Sequence, residues 1–472
     1  MSVLLIASDA DGDTLSTAPS ASSPLARSLR DNGDAGWTFD PGDGEPFATI
    51  SVSADTVLRP GTLDSIRDAF AQYPAVEALI GDAIVDGQRR LRPAWSPTAL
   101  AADPAELDLV AVRGAARAES LAARIELLAK QPLAAVAHLP VALIERTTAA
   151  RPDAAAVAAA RRLTEARATR SPVSSATVLI PTAGTHRGGN RLVDRAIDAA
   201  RRSGLGTVEI LLVVGDEFAG DPEELTAPDV ALVRRSSAWN FSAAINTGLL
   251  AASHDTVLLL NDDVEAIHDG WALPLVGHLR DPEVSLVGAA LLYPDRTVQH
   301  LGVVVDDALP LHAHVGRRLE ELSVGFRHPR EVAAVTAACA VGRRADLLAV
   351  GGLNEALPAN FNDVDLCFKL QREVGRVIVD PSVPLIHHES ASRVATIESW
   401  EWERFVGRWG EIVDPWYHPG HHRPDDPHDR RRNADHLDPD DPLGSWALRT
   451  PTIHPRVHRA RLEAPIDEVA AG

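Results

Sequence analysis

Cysteine is nearly absent from this chain, and no apolar run is long enough to cross a membrane. Only Cys339 and Cys367 occur among its 472 residues. Two cysteines are too few for a disulfide framework or a structural zinc site, so the sequence favours a reducing compartment. No run reaches the roughly 18 to 20 apolar residues of a transmembrane helix, and the first residues lack a basic segment followed by a long apolar core. These absences predict a cytoplasmic protein.

Positive charge is also scarce. Lys and Arg together number 46 against 66 Asp and Glu, which gives a formal net charge of −20 at pH 7. Sequence-independent binding to nucleic acid depends on clustered basic residues that neutralise phosphates, so we expect no nucleic-acid partner. An anionic substrate would need a local device, such as a metal ion, to offset the repulsion.

The length and the apolar pattern predict more than one domain. From Ser174 onward, short apolar runs alternate with amphipathic or Ala-rich segments, which is typical of βαβ units and a mainly parallel sheet. An Ala- and Arg-rich helix at 154–170, closed by Ser171-Pro172, predicts a connection between domains. We expect a first domain at 1–146, a linker at 147–175, a second domain at 176–413 and an extended, Pro-, Asp-, Arg- and His-rich segment at 414–472.

Three polar clusters follow or precede apolar elements in the second domain. The apolar run 258–260 ends in Asn261-Asp262-Asp263, a predicted helix opens with Asn362-Asp363, and a strand-like run ends at His387-His388. Each has a plain structural explanation: a solvated turn, a helix N-cap or a surface histidine pair. Because strand ends and helix starts can converge on one rim of an α/β sheet, their order also suits a divalent metal held against a diphosphate.

The chain resembles family 2 glycosyltransferases of the GT-A fold between residues 176 and 418. The similar segments, in the family's order, are Leu-Ile-Pro-Thr at 179–182, Trp-Asn-Phe-Ser-Ala-Ala-Ile-Asn-Thr-Gly at 239–248, Leu-Asn-Asp-Asp-Val-Glu at 260–265, Gln-His-Leu-Gly-Val-Val at 299–304, Val-Thr-Ala-Ala-Cys at 335–339, Gly-Gly-Leu-Asn-Glu at 351–355, Asn-Asp-Val-Asp-Leu-Cys at 362–367, His-His-Glu-Ser-Ala-Ser-Arg at 387–393 and Asp-Pro-Trp-Tyr at 414–417. The resemblance implies an α/β, Rossmann-like GT-A domain with a mixed, mostly parallel sheet.

The resemblance also implies a metal and a base. Asp263 would hold Mg²⁺ or Mn²⁺ against the donor diphosphate, with Asn261 and Asp262 near the ribose and diphosphate. His387 would be a second ligand, since imidazole suits Mn²⁺ better than Mg²⁺. Asp363 would take the proton from the acceptor hydroxyl in a single inverting displacement. Asp365 is the competing carboxylate, although it is better placed to cap the helix.

Other residues are implied on the donor and acceptor sides. The donor candidates are Pro181, Thr182, Asp216, Asn240 and Asn246. Asp216 differs from the family pattern because Gly215 separates it from its strand, and the two asparagines suit a helix-capping role equally well. The acceptor-side candidates are Trp239, His300, Thr336 and Asp365, and for His300 an ordinary hydrogen-bonded structural role is the alternative.

The first domain looks like a decayed copy of the second. Residues 49–55, Thr-Ile-Ser-Val-Ser-Ala-Asp, followed by a helix from Leu63 to Phe70, parallel Leu258 to Asp263 and its following helix. Ser-Ala-Asp at 53–55 stands where the second domain has Asn-Asp-Asp, and Arg-Pro-Ala-Trp-Ser-Pro at 92–97 resembles a loop of tandem bacterial members. We therefore expect a degenerate GT-A-like domain without catalytic residues.

The leading interpretation is a metal-dependent inverting glycosyltransferase. It would use a nucleoside-diphosphate sugar and act on a glycan or lipid-linked glycan of the cell surface, in the cytoplasm or peripherally at the inner face of the membrane. One alternative is a non-catalytic carbohydrate-binding or scaffold protein derived from a transferase. Another is a sugar nucleotidyltransferase, which generally has a Gly- and Arg-containing loop followed by a Lys; only a faint echo, Thr-His-Arg-Gly-Gly at 185–189, is present.

Overall fold

The computed structural model consists of two compact units, whose main segments are Met1–Ala166 and Arg167–Asp414. The described residues are 3–8, 14–15, 25, 28, 46–53, 56–90, 95–102, 107, 109–114, 120–131, 135–146, 154–236, 238–306, 309–322, 324–388, 398–409 and 414–416. No helix in these ranges is long and apolar enough to span a membrane.

The first unit is a mixed sheet with helices on its faces. Its strands are β1 (Val3–Ser8), β2 (Thr14–Leu15), β3 (Ala48–Ser53), β4 (Val57–Leu58), β5 (Ala78–Val85), β6 (Gln88–Arg90), β7 (Leu109–Arg113) and β8 (Val136–Arg146), and its helices are α1 (Thr62–Gln72), α2 (Pro97–Ala102), α3 (Leu121–Ala129) and α4 (Ala154–Arg167). The sheet order is β2-β1-β3-β7-β5-β8-β4, with β6 paired to β5.

Helix α4 lies within the segment 147–175, which the sequence predicts as a linker helix and loop. Its small side chains Ala156, Ala159 and Ala160, with Leu163, are buried in a core cluster that also contains Ile125 of α3. The spacing of these residues places them on one face of the helix. The helix therefore packs against the core of the first unit.

The second unit contains the sheet that carries the predicted site. Its strands are β9 (Ser175–Pro181), β10 (His186–Arg187), β11 (Asn190–Arg191), β12 (Thr207–Val214), β13 (Val230–Arg234), β14 (Thr256–Leu260), β15 (Val264–Ala266), β16 (Val284–Leu292), β17 (Val298–His300), β18 (Val303–Asp306), β19 (Leu309–His312), β20 (Arg330–Glu331), β21 (Cys339–Arg343) and β22 (Arg376–His387). Its helices are α5 (Val193–Arg201), α6 (Phe241–Ala251), α7 (Ala272–His278), α8 (Arg344–Ala349), α9 (Asn362–Glu373) and α10 (Ser399–Trp409).

Strand direction explains why the polar clusters meet. The sheet order is β13-β12-β9-β14-β21-β16-β22-β15, and β13, β12, β9 and β14 are parallel. Strand β21 is antiparallel to both β14 and β16, and β22 is parallel to β16, so β22 runs in the same direction as β14. The carboxyl ends of β9, β14 and β22 consequently lie at one edge of the sheet.

The two units share the order and direction of six strands. In both, a first strand is parallel to a second, two antiparallel neighbours follow, then a parallel pair and a last antiparallel strand: β1-β3-β7-β5-β8-β4 and β9-β14-β21-β16-β22-β15. The corresponding strands also follow the same order along the chain. This agreement supports the interpretation of the first unit as a copy of the second.

Candidate active site

Two strand ends bring an acid and a histidine into contact. Asp263 follows the fully buried strand β14, and His387 is the last residue of β22, which pairs through its end with β15. The Asp263 Oδ1 and His387 Nε2 atoms are 3.0 Å apart, and the backbone N–H of His388 donates to the Asp263 carbonyl. A bare carboxylate and an imidazole nitrogen at this distance require a proton or a cation between them.

The adjacent acids Asp262 and Asp263 have different surroundings. Burial raises the pKa of the Asp262 carboxyl; the hydrogen bond from Thr182 opposes this, the charge of Asp263 adds to it, and the pKa is about 6. Burial also acts to raise the pKa of Asp263, but the hydrogen bond and charge of His387 outweigh it and lower the pKa below its ordinary value. Asp263 is therefore the acid held in its ionised form.

Asp262 joins the ends of β9 and β14. The Thr182 hydroxyl donates to Asp262 Oδ2 at 2.7 Å and accepts the backbone N–H of Gly184 at 3.0 Å. Thr182 directly follows Pro181, the last residue of β9, and is almost fully buried. The donor candidates Pro181, Thr182 and Asp262 are thus brought together, with the last two bonded to each other.

The side chain of Asn261 points toward the same pair. Its Nδ2 lies 3.4 Å from His387 Nε2, and its backbone N–H donates to the Ala338 carbonyl at 2.9 Å. Its buried Oδ1 has no hydrogen-bond partner among the described residues. A buried amide oxygen without a partner is uncommon, and it suits a site completed by a ligand.

These residues fit one divalent cation with donor oxygens completing its shell. No group of three or more His, Cys, Asp or Glu side chains is gathered for a metal in the described ranges, so the protein itself would supply few ligands. Asp263 Oδ1 and His387 Nε2 face each other, and carboxylate with imidazole is a donor set that suits Mn²⁺. Mg²⁺ and its relatives commonly take one or two protein ligands and fill the rest from phosphates and water.

Asp363 and Asn261 bond to adjacent residues of one backbone segment, Ala337 and Ala338. It is in the first turn of α9 and is partly exposed, and its Oδ2 accepts the backbone N–H of Ala337 at 3.3 Å. The next residue, Ala338, accepts the backbone N–H of Asn261. The carboxylate predicted as the base and the acids at the end of β14 therefore border the same stretch of backbone.

His300 is buried and hydrogen-bonded within the protein. Its Nε2 accepts the backbone N–H groups of Gly302 and Thr336, at 3.4 and 3.3 Å, and its Nδ1 is 3.0 Å from His312 Nδ1. Burial, with the nearby His312 and Arg330, lowers the pKa of His300 well below its ordinary value. The Thr336 hydroxyl accepts the N–H of Ala338. The side chains of His300 and Thr336 are therefore both hydrogen-bonded within the protein.

The side chains of Asn240 and Asn246 form hydrogen bonds with loop 353–355. Asn240 caps α6 by accepting the N–H of Ala243 at 2.9 Å, and its amide donates to the Glu355 carbonyl. Asn246 accepts the N–H of Leu353 and donates to its carbonyl and to the Glu355 carboxylate. Both side chains bond to loop 353–355, and the donor role implied for them stays a prediction.

Asp365 contacts side chains of α9 and α10. It is fully buried, and its carboxylate accepts the Trp409 indole N–H at 2.9 Å and lies 3.3 Å from Lys369 Nζ and 3.2 Å from Arg408 Nε. Among the described residues its carboxylate contacts side chains and no backbone N–H of α9, so these are not the contacts of a helix cap. Asp365 instead joins α9 to α10.

Two further candidates, one donor-side and one acceptor-side, lie at the surface. Asp216 is exposed in the turn after β12, and Trp239 is 40% exposed just before α6. Asp414, from the closing motif, is buried and accepts the N–H of Val305. Asp55, residues 92–94, 389–393 and Tyr417 lie outside the described residues, as does almost all of the predicted C-terminal extension.

Several residues of the site were missed from the sequence. Gln299 contacts both the ring and the carbonyl of His387, and Arg187 and Arg195 contact His388, through its carbonyl at 3.4 Å and its Nε2 at 2.6 Å. In a chain with a net charge of −20, these two arginines bring positive charge to the residue that follows His387. Gln299 precedes His300 in a quoted motif, but adjacent strand residues point to opposite faces, and the sequence does not say which faces the site.

A family comparison agrees with this geometry. Residues 177–345 match the family described as glycosyl transferase family 2. This part of the chain belongs to that family. The match begins in β9 and includes Asp263, while Asp363 and His387 lie beyond its end. The predicted family and the α/β fold class, with an additional N-terminal α/β unit, are confirmed.

Curated relatives are similar over part of the chain. The O-antigen biosynthesis protein RfbC of Myxococcus xanthus is 34% identical over 225 residues, which is 45% of this chain and 18% of that protein. The pre-mycofactocin glycosyltransferase of Mycobacterium tuberculosis is 28% identical over 189 residues, 39% of this chain and 36% of its own length. The uncharacterized protein y4gI of Sinorhizobium fredii is 39% identical over 168 residues, which is 35% of this chain and 18% of that protein. The chain spans at most 36% of these relatives.

Two solved structures show a weaker likeness. GalNAc-T7, solved with UDP, GalNAc and Mn²⁺, has 14% identity and a TM-score of 0.39, over 50% of this chain and 48% of that one. The mannosyltransferase PcManGT from Pyrobaculum calidifontis, solved with GDP-Man and Mn²⁺, has 17% identity and a TM-score of 0.34, over 51% of this chain and 64% of that one. TM-scores this low do not establish a shared substrate or metal.

Proposed function

We propose that the second unit is a metal-dependent, inverting glycosyltransferase that transfers a sugar from a nucleoside-diphosphate donor to a hydroxyl of a surface polysaccharide precursor. The observation that carries the proposal is the meeting of Asp263 and His387 from two strand ends, with Asp363 bordering the same backbone segment. The family of residues 177–345 supports the reaction class.

Each residue has a part that its contacts allow. Asp263 and His387 would hold Mn²⁺ or Mg²⁺, and the bound cation would stabilise the negative charge of the departing nucleoside diphosphate. Asn261, with its unsatisfied amide oxygen, would bind the donor or the metal shell. Asp262 and Thr182 fix the ends of β9 and β14 beneath the donor.

Asp363 would act as the general base. Its partly exposed carboxylate takes the proton of the acceptor hydroxyl while that oxygen bonds to the anomeric carbon. The bond from that carbon to the diphosphate oxygen breaks in the same step, and the nucleoside diphosphate leaves with the electron pair. One displacement of this kind inverts the anomeric configuration.

The substrate class and setting are proposed from the relatives. RfbC is named for O-antigen biosynthesis, which is compatible with a glycan or lipid-linked glycan acceptor here. A lipid-linked acceptor would bring the protein to the inner face of the membrane as a peripheral partner, with the bulk of the chain in the cytoplasm. The first unit would serve in assembly or acceptor placement.

Replacement of the proposed base tests the reaction. A panel of nucleotide sugars is first screened for donor hydrolysis with Mn²⁺, and the active donor is then used with Asp363→Asn. The amide keeps the size of the carboxylate but cannot accept the hydroxyl proton, so turnover should be abolished while nucleotide binding is nearly unchanged. Normal turnover by Asp363→Asn would rule out the assignment.

A further inference from the structure

Gln299 contacts His387 at two points. Its Oε1 lies 2.6 Å from the ring Nδ1, and its Nε2 donates to the backbone carbonyl of His387 at 3.4 Å. Gln299 is on β17, which pairs with the end of β16, and its side chain is buried. A side chain with a fixed backbone and two contacts to one residue restricts the orientation of that residue's ring.

The two contacts together specify which ring nitrogen carries the proton. A backbone carbonyl only accepts hydrogen bonds, so the amide nitrogen of Gln299 must face it and the amide oxygen must face Nδ1. Because that oxygen also only accepts, Nδ1 must be the nitrogen that bears hydrogen. In the neutral ring, Nε2 then keeps its lone pair, and the approach of Asn261 Nδ2 to Nε2 agrees with this.

The Nε2 atom that keeps its lone pair lies beside the proposed cation position. His387 Nε2 lies 3.0 Å from Asp263 Oδ1, so two electron-pair donors converge on one gap. We propose that Gln299 is a positioning residue that fixes the tautomer and ring orientation of His387 for binding a divalent cation. The inference rests on the metal site of the proposed function. A carbonyl or carboxamide partner on the far nitrogen is a common way of orienting a metal-bound histidine.

Mn²⁺ affinity, rather than turnover, tests this role. The full-length chain is titrated with Mn²⁺ at a fixed concentration of UDP, and free Mn²⁺ is followed by its paramagnetic resonance signal. Gln299→Leu and Gln299→Met remove the acceptor for Nδ1–H, whereas Gln299→Glu keeps it. The matched control is Gln371→Leu, which loses a buried-carbonyl contact of the same kind, the glutamine bond to the Ala333 carbonyl.

We expect Gln299→Leu and Gln299→Met to weaken Mn²⁺ binding about 10-fold or more, the scale on which partners of metal-bound histidines act. Gln299→Glu should stay within about threefold of the wild type, because a carboxylate also accepts from Nδ1–H. Gln371→Leu should bind as the wild type does. Circular dichroism establishes that each variant is folded, and two apolar variants are used in case one is not.

Three outcomes would overturn the inference. Unchanged Mn²⁺ affinity in the apolar variants would show that His387 needs no such partner. A loss in Gln299→Glu as large as in Gln299→Leu would show that packing, not acceptance from Nδ1, matters. If the wild-type protein transferred sugar without binding Mn²⁺, the proposed metal site would not exist. A wild type that binds Mn²⁺ but transfers no sugar would contradict the proposed function while the comparison of variants still decides the role of Gln299.

Discussion

At the scale of single residues, neighbouring groups of the same type have opposite tasks. Asp262 and Asp263 are adjacent, yet one accepts a hydroxyl hydrogen bond and has a pKa near 6, whereas the other faces His387 and has a lowered pKa. Such pairs identify the ionised member as the candidate ligand. The environment of each carboxyl, rather than its residue type, therefore assigns its role.

The buried His300 should make the protein sensitive to acid. Its folded-state pKa is lowered, so below about pH 6.5 the unfolded chain takes up a proton that the folded ring does not. Its contribution is neutral above that pH, and stability is lost as the pH falls toward the folded value, by at most about 1.4 kcal/mol per pH unit. Melting temperatures of wild type and His300→Gln at pH 7.5 and 5.5 check this sign.

We expect His300→Gln to lose less stability than the wild type on acidification, because glutamine can accept the same backbone N–H groups without titrating. The exposed His186 provides a matched control, and His186→Gln should follow the wild type at both pH values. Equal acid sensitivity of His300→Gln and wild type would mean that His300 is not held neutral by the fold.

How far the sequence predicted the site differs from residue to residue. Asp263, Asp363 and His387 stand at element ends, where strand direction alone brings them near one sheet edge. The contacts of Asn246, Asp365 and His300 were not predictable, since they depend on which loop or helix packs over each side chain. Gln299 was missed because a one-residue difference in strand register decides which face a side chain occupies.

At the scale of elements, helix α10 holds the start of α9. Glu401 is buried and accepts the backbone N–H groups of Ala359 and Asn360, at 3.1 and 2.9 Å. The next residue, Phe361, has the left-handed conformation, with φ of 60°, and stacks on Phe405 with 5.1 Å between ring centroids. A bulky residue in this region costs on the order of 1–3 kcal/mol, so the packing of α10 must offset it. Asp363 lies two residues further on.

Glu401→Gln should therefore impair both stability and turnover. The amide has one acceptor oxygen in place of two, and its NH₂ group would face the Asn360 amide nitrogen, which now donates to the carboxylate. We expect a loss of about 1–3 kcal/mol in the free energy of unfolding, the cost of a buried unsatisfied group. We also expect kcat to fall more than the donor KM changes, since the base moves rather than the donor pocket.

Glu403, exposed on the same helix, supplies the control. Glu403→Gln should leave stability and kcat unchanged. If Glu401→Gln were as stable and as active as the wild type, α10 would have no part in placing Asp363.

Element positions were predictable where the apolar pattern was strong. The apolar pattern predicts strands at 208–214, 230–233 and 256–260 and a helix at 241–252. Strand β14 has the predicted bounds, and β12, β13 and α6 agree with them within one residue at each end. The sequence shows two separate strand-like runs before His387, at 377–379 and 384–386. In the structure both belong to one strand, β22, with register shifts in its pairing to β16. The place of β21 between β14 and β16 depends on long-range pairing, which local pattern does not encode.

At the scale of the whole molecule, two sheets with the same strand order differ in their chemistry. Strand pairing matches Asp263 with Thr56 rather than with Asp55, the match that the sequence pattern gave. Asp263 precedes β15, where Val264 pairs with His387, and Thr56 precedes β4, where Val57 pairs with Glu145. The first turn of α3, the helix before β8, has no acid. Within the described residues, the first unit thus lacks the groups proposed for the metal and the base, although its core is well formed.

Calorimetric titration of the full-length chain with UDP, GDP and dTDP, with and without Mn²⁺, tests the central claim most directly. We predict that one of these nucleotides binds with a stoichiometry of one per chain, more tightly with Mn²⁺, and that Asp263→Asn weakens the Mn²⁺-dependent binding at least about 10-fold. Nucleotide binding that is independent of both Mn²⁺ and Asp263, or two equivalent sites per chain, would contradict a single divided metal site in the second unit.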